Sequence, residues 1–184
     1  MKIAVMGSGG IGGYYGGRLA DARANVSFIA RGTHLAAMRE NGLEVISPLG
    51  DFHLPHVTAT DDPATIGTVD IVMFCVKLYD VEETCELIKP LIGQDTAVIS
   101  FLNGIDSEER MRVILGDRAV VGGTAQIPSN IAEPGVIEHK ASLAALEFGE
   151  LDGRDSKRLR DFYKICTDAD IQTFLVENIE THIW

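Results

Sequence analysis

Three glycines near the start of the chain are spaced to hold phosphate. Gly7-Ser8-Gly9-Gly10-Ile11-Gly12 is a G-x-G-x-x-G run. In such a run Gly7 permits a tight turn, Gly9 lets the backbone approach a pyrophosphate, and Gly12 lets a helix pack closely on a strand. A helix starting there adds free N–H groups and a partial positive charge. Gly13, Gly16 and Gly17 carry the run into the helix, each at about 1 kcal/mol relative to alanine. Close packing under the nucleotide is the reason the sequence offers for that loss.

Three further positions carry charge or polarity where a ligand would need it. A site for NAD places Asp or Glu about 20 residues past the glycines, to hold the ribose 2′-hydroxyl. Between residues 27 and 36 there is no carboxylate, and Arg31 stands there instead, followed by Gly32 and Thr33. A cation at that point matches a 2′-phosphate, so the spacing predicts NADP(H) rather than NAD(H). Lys77 closes an apolar run and is placed to meet an anion. Asn103 closes another and can donate and accept beside a nicotinamide. Asn-Gly is also the strongest turn dipeptide, so Asn103 alone reads equally as a turn residue.

These residues need a scaffold that brings strand ends together. Apolar runs at 3–6, 25–30, 69–76 and 96–102 read as strands, with another beginning at 119–122. Helical patterns at 11–22, 33–41, 81–92 and 107–115 alternate with them. The segments 43–46 and 53–58 read as a short hairpin or two edge strands. Segments 136–139 and 143–148 read as a hairpin added to the sheet. A charged amphipathic helix over 155–169 and a strand over 171–176 follow. The repeated β-α-β pattern predicts an α/β fold, Rossmann-like and doubly wound, with a mostly parallel sheet. In that fold ligands lie across the carboxyl ends of the strands, where Gly7, Arg31, Lys77 and Asn103 all fall.

Composition bounds the partners. The chain has 184 residues, one domain or one with the start of another. Its net charge of −11 argues against nucleic acid, whose phosphates need Lys and Arg. No window approaches the ~20 apolar residues of a bilayer span. The N-terminus lacks a signal-like apolar region, which points to a cytoplasmic location. Cys75, Cys85 and Cys166 are odd in number, have no CxxC spacing and read as small buried hydrophobes rather than disulfide or metal ligands. His34 reads as a surface residue, His139 as structural, and His53 and His56 as a poor metal pair. Tyr14 and Tyr15 read as core. Residues 177–184 open a helix that stops in mid-pattern, so the chain is expected to continue.

The set Gly7–Gly12, Ala30-Arg31-Gly32, Val76-Lys77-Leu78-Tyr79-Asp80, Asn103-Gly104-Ile105, and Pro134-Gly135-Val136-Ile137-Glu138-His139 resembles the ketopantoate reductase (2-dehydropantoate 2-reductase) family. So does the ending Glu177-Asn178-Ile179-Glu180-Thr181-His182-Ile183-Trp184. The resemblance implies that Gly7, Ser8, Gly9, Gly10, Ile11 and Gly12 bind the NADP pyrophosphate and that Arg31 holds the 2′-phosphate. It implies that Lys77 and Asn103 line the nicotinamide end, with Asn103 also touching substrate. Ser129 falls where the family often has an alanine whose backbone meets the cofactor. The family's proton donor is a lysine two residues past the terminal tryptophan, outside this sequence. Residues 1–176 would then be an NADP-binding domain. Residues 177–184 would lead to a helical substrate and dimerisation domain not included here. A chain without that domain exposes an apolar patch that could pair it into a homodimer.

The implied reaction is hydride transfer from NADPH to the C2 carbonyl of 2-dehydropantoate, giving pantoate for coenzyme A synthesis, with the isolated segment expected to be nearly inactive. A related reductase of another 2-oxo acid, or an NADP-binding module without chemistry, fits the same residues.

Overall fold

The computed structural model describes residues 1–102 and 106–183. The first half runs β1 (Lys2–Met6), α1 (Gly10–Asp21), β2 (Asn25–Ile29), α2 (Gly32–Asn41), β3 (Leu43–Ile46), β4 (Phe52–Leu54), β5 (Thr58–Thr60), β6 (Val69–Phe74) and α3 (Val81–Leu87). The second half runs β7 (Ile92–Ser100), α4 (Ser107–Leu115), β8 (Val120–Gln126), β9 (Ser129–Glu133), β10 (Val136–His139), β11 (Ala145–Gly149), α5 (Lys157–Asp168), β12 (Gln172–Leu175) and α6 (Glu180–Ile183).

Eight strands form the main sheet, in the order β12-β11-β8-β7-β6-β1-β2-β5. From β5 to β8 every pairing is parallel, and only β11 runs antiparallel to its neighbour β8. The chain leaves β1 toward β2 and β5, then returns to place β6 on the other side of β1. That reversal is the topological switch point, where crevices open at strand ends.

Alternation along the central strands sorts side chains to the two faces, as a period of two requires. Ile3 and Val5 of β1, with Ile71 and Met73 of β6, join a core shared with α1 and α5. Ala4 and Met6, with Val72 and Phe74, join a second core under α3 and α4. A strand buried on both faces must be apolar there, which accounts for the run over 71–74 in β6; Asp70, near its start, is exposed.

A second, four-stranded sheet has the order β4-β3-β10-β9. It lies across α1, so that helix is held between two sheets. Its glycines divide accordingly. A Cβ on Gly12 or Gly16 would strike Val5 of the main sheet, and on Gly16 also Phe28 at 2.7 Å. A Cβ on Gly13 would strike Ile137 at 2.7 Å, and one on Gly17 would crowd Phe52 at 3.2 Å. The two pairs are each four apart, so each lies along one helix face. Close approach on both sides offsets the helix propensity these positions give up.

Several expected boundaries differ, each for a local reason. The pattern over 81–92 predicts one helix, but α3 stops at Leu87 and a single 3₁₀ turn, Lys89–Leu91, follows. Pro90 has no N–H and disfavours helix at its predecessor. The segment 53–58 is divided at Pro55 between β4 and β5, which belong to different sheets. The hairpin expected from 136–139 and 143–148 does not form. Val136–His139 pairs with β9 and β3, while Ala145–Gly149 joins the main sheet beside β8. The turn that decides this is Pro134-Gly135, with Gly135 at φ +83°, a conformation glycine adopts without strain. Its partner, Ser129–Glu133, has no apolar alternation because it is an exposed edge, so the pattern gave no strand signal.

Candidate functional site

β1, β2 and β6 end on one side of the sheet. Their ends enclose a cleft of about 340 Å³ lined by the glycine turn, Arg31, His34, Lys77 and Asp80. Gly7 turns the chain out of β1 with φ +93°, and a Cβ there would lie 2.7 Å from the Cys75 carbonyl oxygen. The Gly7 and Ser8 amides both donate to the Ile29 carbonyl, at 3.3 and 3.2 Å, and Ser8 Oγ donates to the same oxygen at 3.0 Å. Those two amides therefore pin the turn to β2 rather than facing a ligand.

The amides that remain are those opening α1. Gly9 is its N-cap and provides no side-chain cap, and the first turn holds no acidic residue. The first N–H groups of a helix have no partner inside it. A Cβ on Gly9 would meet nothing within 4 Å, so the space above this backbone is the cleft itself. On Gly10 a Cβ would collide with the Ser129 carbonyl oxygen, which closes the cradle from β9. Ser129 Oγ is buried with no hydrogen-bond partner among the described residues. A bare cradle with free amides and no carboxylate in its own first turn fits a pyrophosphate.

His34 lies elsewhere than its sequence position suggests. It is not a surface residue: it is buried and clasps two segments together. Its Nδ1 accepts from the Gly135 N–H at 3.0 Å, so Nε2 carries the proton and donates to the Ser8 carbonyl at 2.8 Å. The glycine turn is thereby tied to the β9–β10 turn through α2. The bond from Gly135 requires the neutral ring, because a protonated Nδ1 cannot accept, and burial lowers the pKa, outweighing the bond to Ser8.

At the far end of the cleft Arg31 is the N-cap of α2, with a largely exposed side chain. Its Nη2 sits 3.4 Å from Asp80 Oδ2. Lys77 follows β6, exposed, on the same cleft wall. Among the described residues the lysines that pair with carboxylates are Lys89, Lys140, Lys157 and Lys164, not Lys77. Asn103 lies outside the described residues. Asp61, Asp80 and Glu83 also face the cleft. Sequence reasoning missed them because it looked for a carboxylate only after β2, whereas they come from beyond β5 and β6.

Other candidates are structural. Tyr15 is buried and donates to the Ala145 carbonyl at 3.0 Å. His139 is buried between Ser47 and the Leu143 carbonyl, and Tyr14 packs against it. Cys85 and Cys166 are buried, and desolvation pushes their thiols up to about 11 and about 12. Cys75 is only half-buried and forms part of the cleft wall, its thiol also raised by desolvation. At the opposite end of the sheet Arg158 clamps buried Glu150 with bonds of 2.8 and 2.7 Å. Burial alone would raise the Glu150 carboxyl, but the Arg158 hydrogen bonds prevail and lower it.

The family model of ketopantoate reductase PanE/ApbA matches residues 3–153. The chain belongs to this family. It is 30% identical over its whole length to an uncharacterized oxidoreductase, YkpB, of Bacillus subtilis, and covers 60% of that protein. It is 28% identical to a 2-dehydropantoate 2-reductase of Mesorhizobium japonicum, again over its whole length and 62% of the relative. The crystal structure of 2-dehydropantoate 2-reductase from Porphyromonas gingivalis superposes with a TM-score of 0.94 at 39% identity, over all of this chain and 66% of that one. The chain thus spans about 60% of the length of the curated relatives it matches. The ketopantoate reductase family is one of oxidoreductases, and the cleft at the switch point is where this member of it brings the opening of α1, Arg31 and Lys77 together. Among the described residues no helix is long and apolar enough to cross a membrane.

Proposed function

We propose that this chain is the NADP(H)-binding part of a cytoplasmic reductase that converts 2-dehydropantoate to pantoate. The observation that carries the reading is the uncapped N-terminus of α1 under open space at Gly9, with Arg31 and Lys77 in the same cleft. The Gly9–Gly12 backbone would hold the pyrophosphate, Arg31 the 2′-phosphate, and Ser129 would close the cradle from β9. Lys77 and Asn103 would face the nicotinamide end, with Asn103 also meeting substrate.

When bound, the cofactor supplies the hydride for a C2 carbonyl. The protein's task is then to stabilise the alkoxide that develops and to deliver a proton. Lys77 supplies positive charge there and Asn103 orients the carbonyl. The proton donor lies outside residues 1–184, so these residues alone bind the cofactor and turn over slowly or not at all.

The test is consumption of NADPH by the full-length protein with 2-dehydropantoate and, separately, with other 2-oxo acids. Preference for 2-dehydropantoate supports the reading. Preference for a different 2-oxo acid moves the substrate within the same chemistry. No turnover with any of them favours a binding module.

A further inference from the structure

The lack of a carboxylate after β2 argues for a 2′-phosphate, yet the fold supplies carboxylates to the same place from elsewhere. Asp80 brings Oδ2 to 3.4 Å from Arg31 Nη2, and its side chain is 24% exposed against 87% for Arg31. Asp61 and Glu83 line the cleft too, so Arg31 and Lys77 face three carboxylates. Asp61 is paired with Arg39 at 3.3 Å, which leaves Asp80 as the carboxylate engaged with Arg31. An ion pair this exposed contributes little to the fold and is readily exchanged. Asp80 caps α3 with no side-chain hydrogen bond, so its charge has no evident structural duty at that helix.

We propose that Asp80 is a specificity-determining residue for the cofactor, its carboxylate competing with a 2′-phosphate for Arg31. This rests on the reading that the cleft takes NADP(H). A phosphorylated ribose must draw Arg31 away from Asp80 and then lie beside that carboxylate. A plain ribose brings no second negative charge, and Asp80 can accept a hydrogen bond from its 2′-hydroxyl. Asp80 therefore narrows the preference that Arg31 creates, and the Arg31–Asp80 pair, rather than Arg31 alone, sets the NADP(H) to NAD(H) ratio.

The experiment is a double-mutant cycle on the protein, with Asp80→Asn, Arg31→Ala and the two combined. Dissociation constants for NADPH and NADH are read by calorimetry at low and high salt, and thermal melts check folding. Asparagine is an equally good helix cap, and Asp80→Ser provides a second charge-free variant. Asp80→Asn is expected to tighten NADPH about tenfold at low salt, with a smaller gain at high salt, while NADH binding holds or weakens. The gain should vanish when Arg31 is already alanine. Unchanged or weaker NADPH binding in Asp80→Asn, while Arg31→Ala still weakens it, overturns the proposal and leaves the NADP(H) reading intact. An equal gain without Arg31 also overturns it, because repulsion alone would then account for the effect. NADPH affinity indifferent to Arg31→Ala overturns the NADP(H) reading itself.

Discussion

Replacing Gly9 with alanine should separate binding from folding. Gly9 has φ −79°, which alanine adopts, and the added methyl would meet no protein atom within 4 Å. Losing glycine's freedom in the unfolded chain stabilises by about 0.4–1 kcal/mol. Alanine is a poorer N-cap than glycine, which costs roughly as much again. The two offset, so the melting temperature should stay within about 3 °C of the parent. The methyl would, however, occupy the space above the first-turn amides of α1. Loss of two hydrogen bonds from those amides to a charged pyrophosphate, each about 1.5 kcal/mol, comes to about 3 kcal/mol. That is roughly a hundredfold in dissociation constant. Calorimetric titration with NADPH, beside a thermal melt, measures both quantities. A folded Gly9→Ala protein that binds NADPH as tightly as the parent would refute the assignment of this backbone to the pyrophosphate.

Gly12→Ala should do the reverse damage, because its methyl collides with the Gly7 carbonyl and Val5. A loss of about 2 kcal/mol in chemical denaturation is expected, and an unchanged midpoint would contradict the close helix–strand contact. Arg158→Ala should destabilise by about 3 kcal/mol, since it leaves buried Glu150 with the longer contact to Arg154 at 3.5 Å, whereas replacing both Arg158 and Glu150 with apolar residues should cost less. Because the Glu150 carboxyl is lowered in the folded state, its contribution is present above its unfolded pKa and is lost as pH falls through the folded value. His34 is also lowered, so the unfolded chain takes up a proton that folded His34 refuses. Stability should therefore decline as pH falls below about 6.5, and melting curves of His34→Gln across pH should lack that part of the decline.

Much of the scaffold was legible because its signals are local. The apolar runs of β1 and β6 follow from burial on both faces, and α4 stops before Gly116, which has φ +83°; its N-cap, however, is Asp106, which makes no side-chain cap bond. The glycine turn was legible in the same way, from spacing and from its place between a strand and a helix. What stayed hidden depends on contacts distant in sequence. Ser129–Glu133 forms a strand only because Val136–His139 folds back on it. His34 is a clasp because Gly135, 101 residues away, donates to it. Asp80 meets Arg31 across 49 residues, and no periodicity or spacing rule links the two. Gly13 and Gly17 announced close packing, but the second sheet they pack against could be found only in the fold.

The most direct test of the account is a crystal structure of the protein with NADPH. The account predicts the pyrophosphate over the Gly9–Gly12 amides, with the 2′-phosphate on Arg31 and Asp80 displaced from it. A dinucleotide bound elsewhere, or lying in the cleft with its 2′-phosphate away from Arg31, would contradict it.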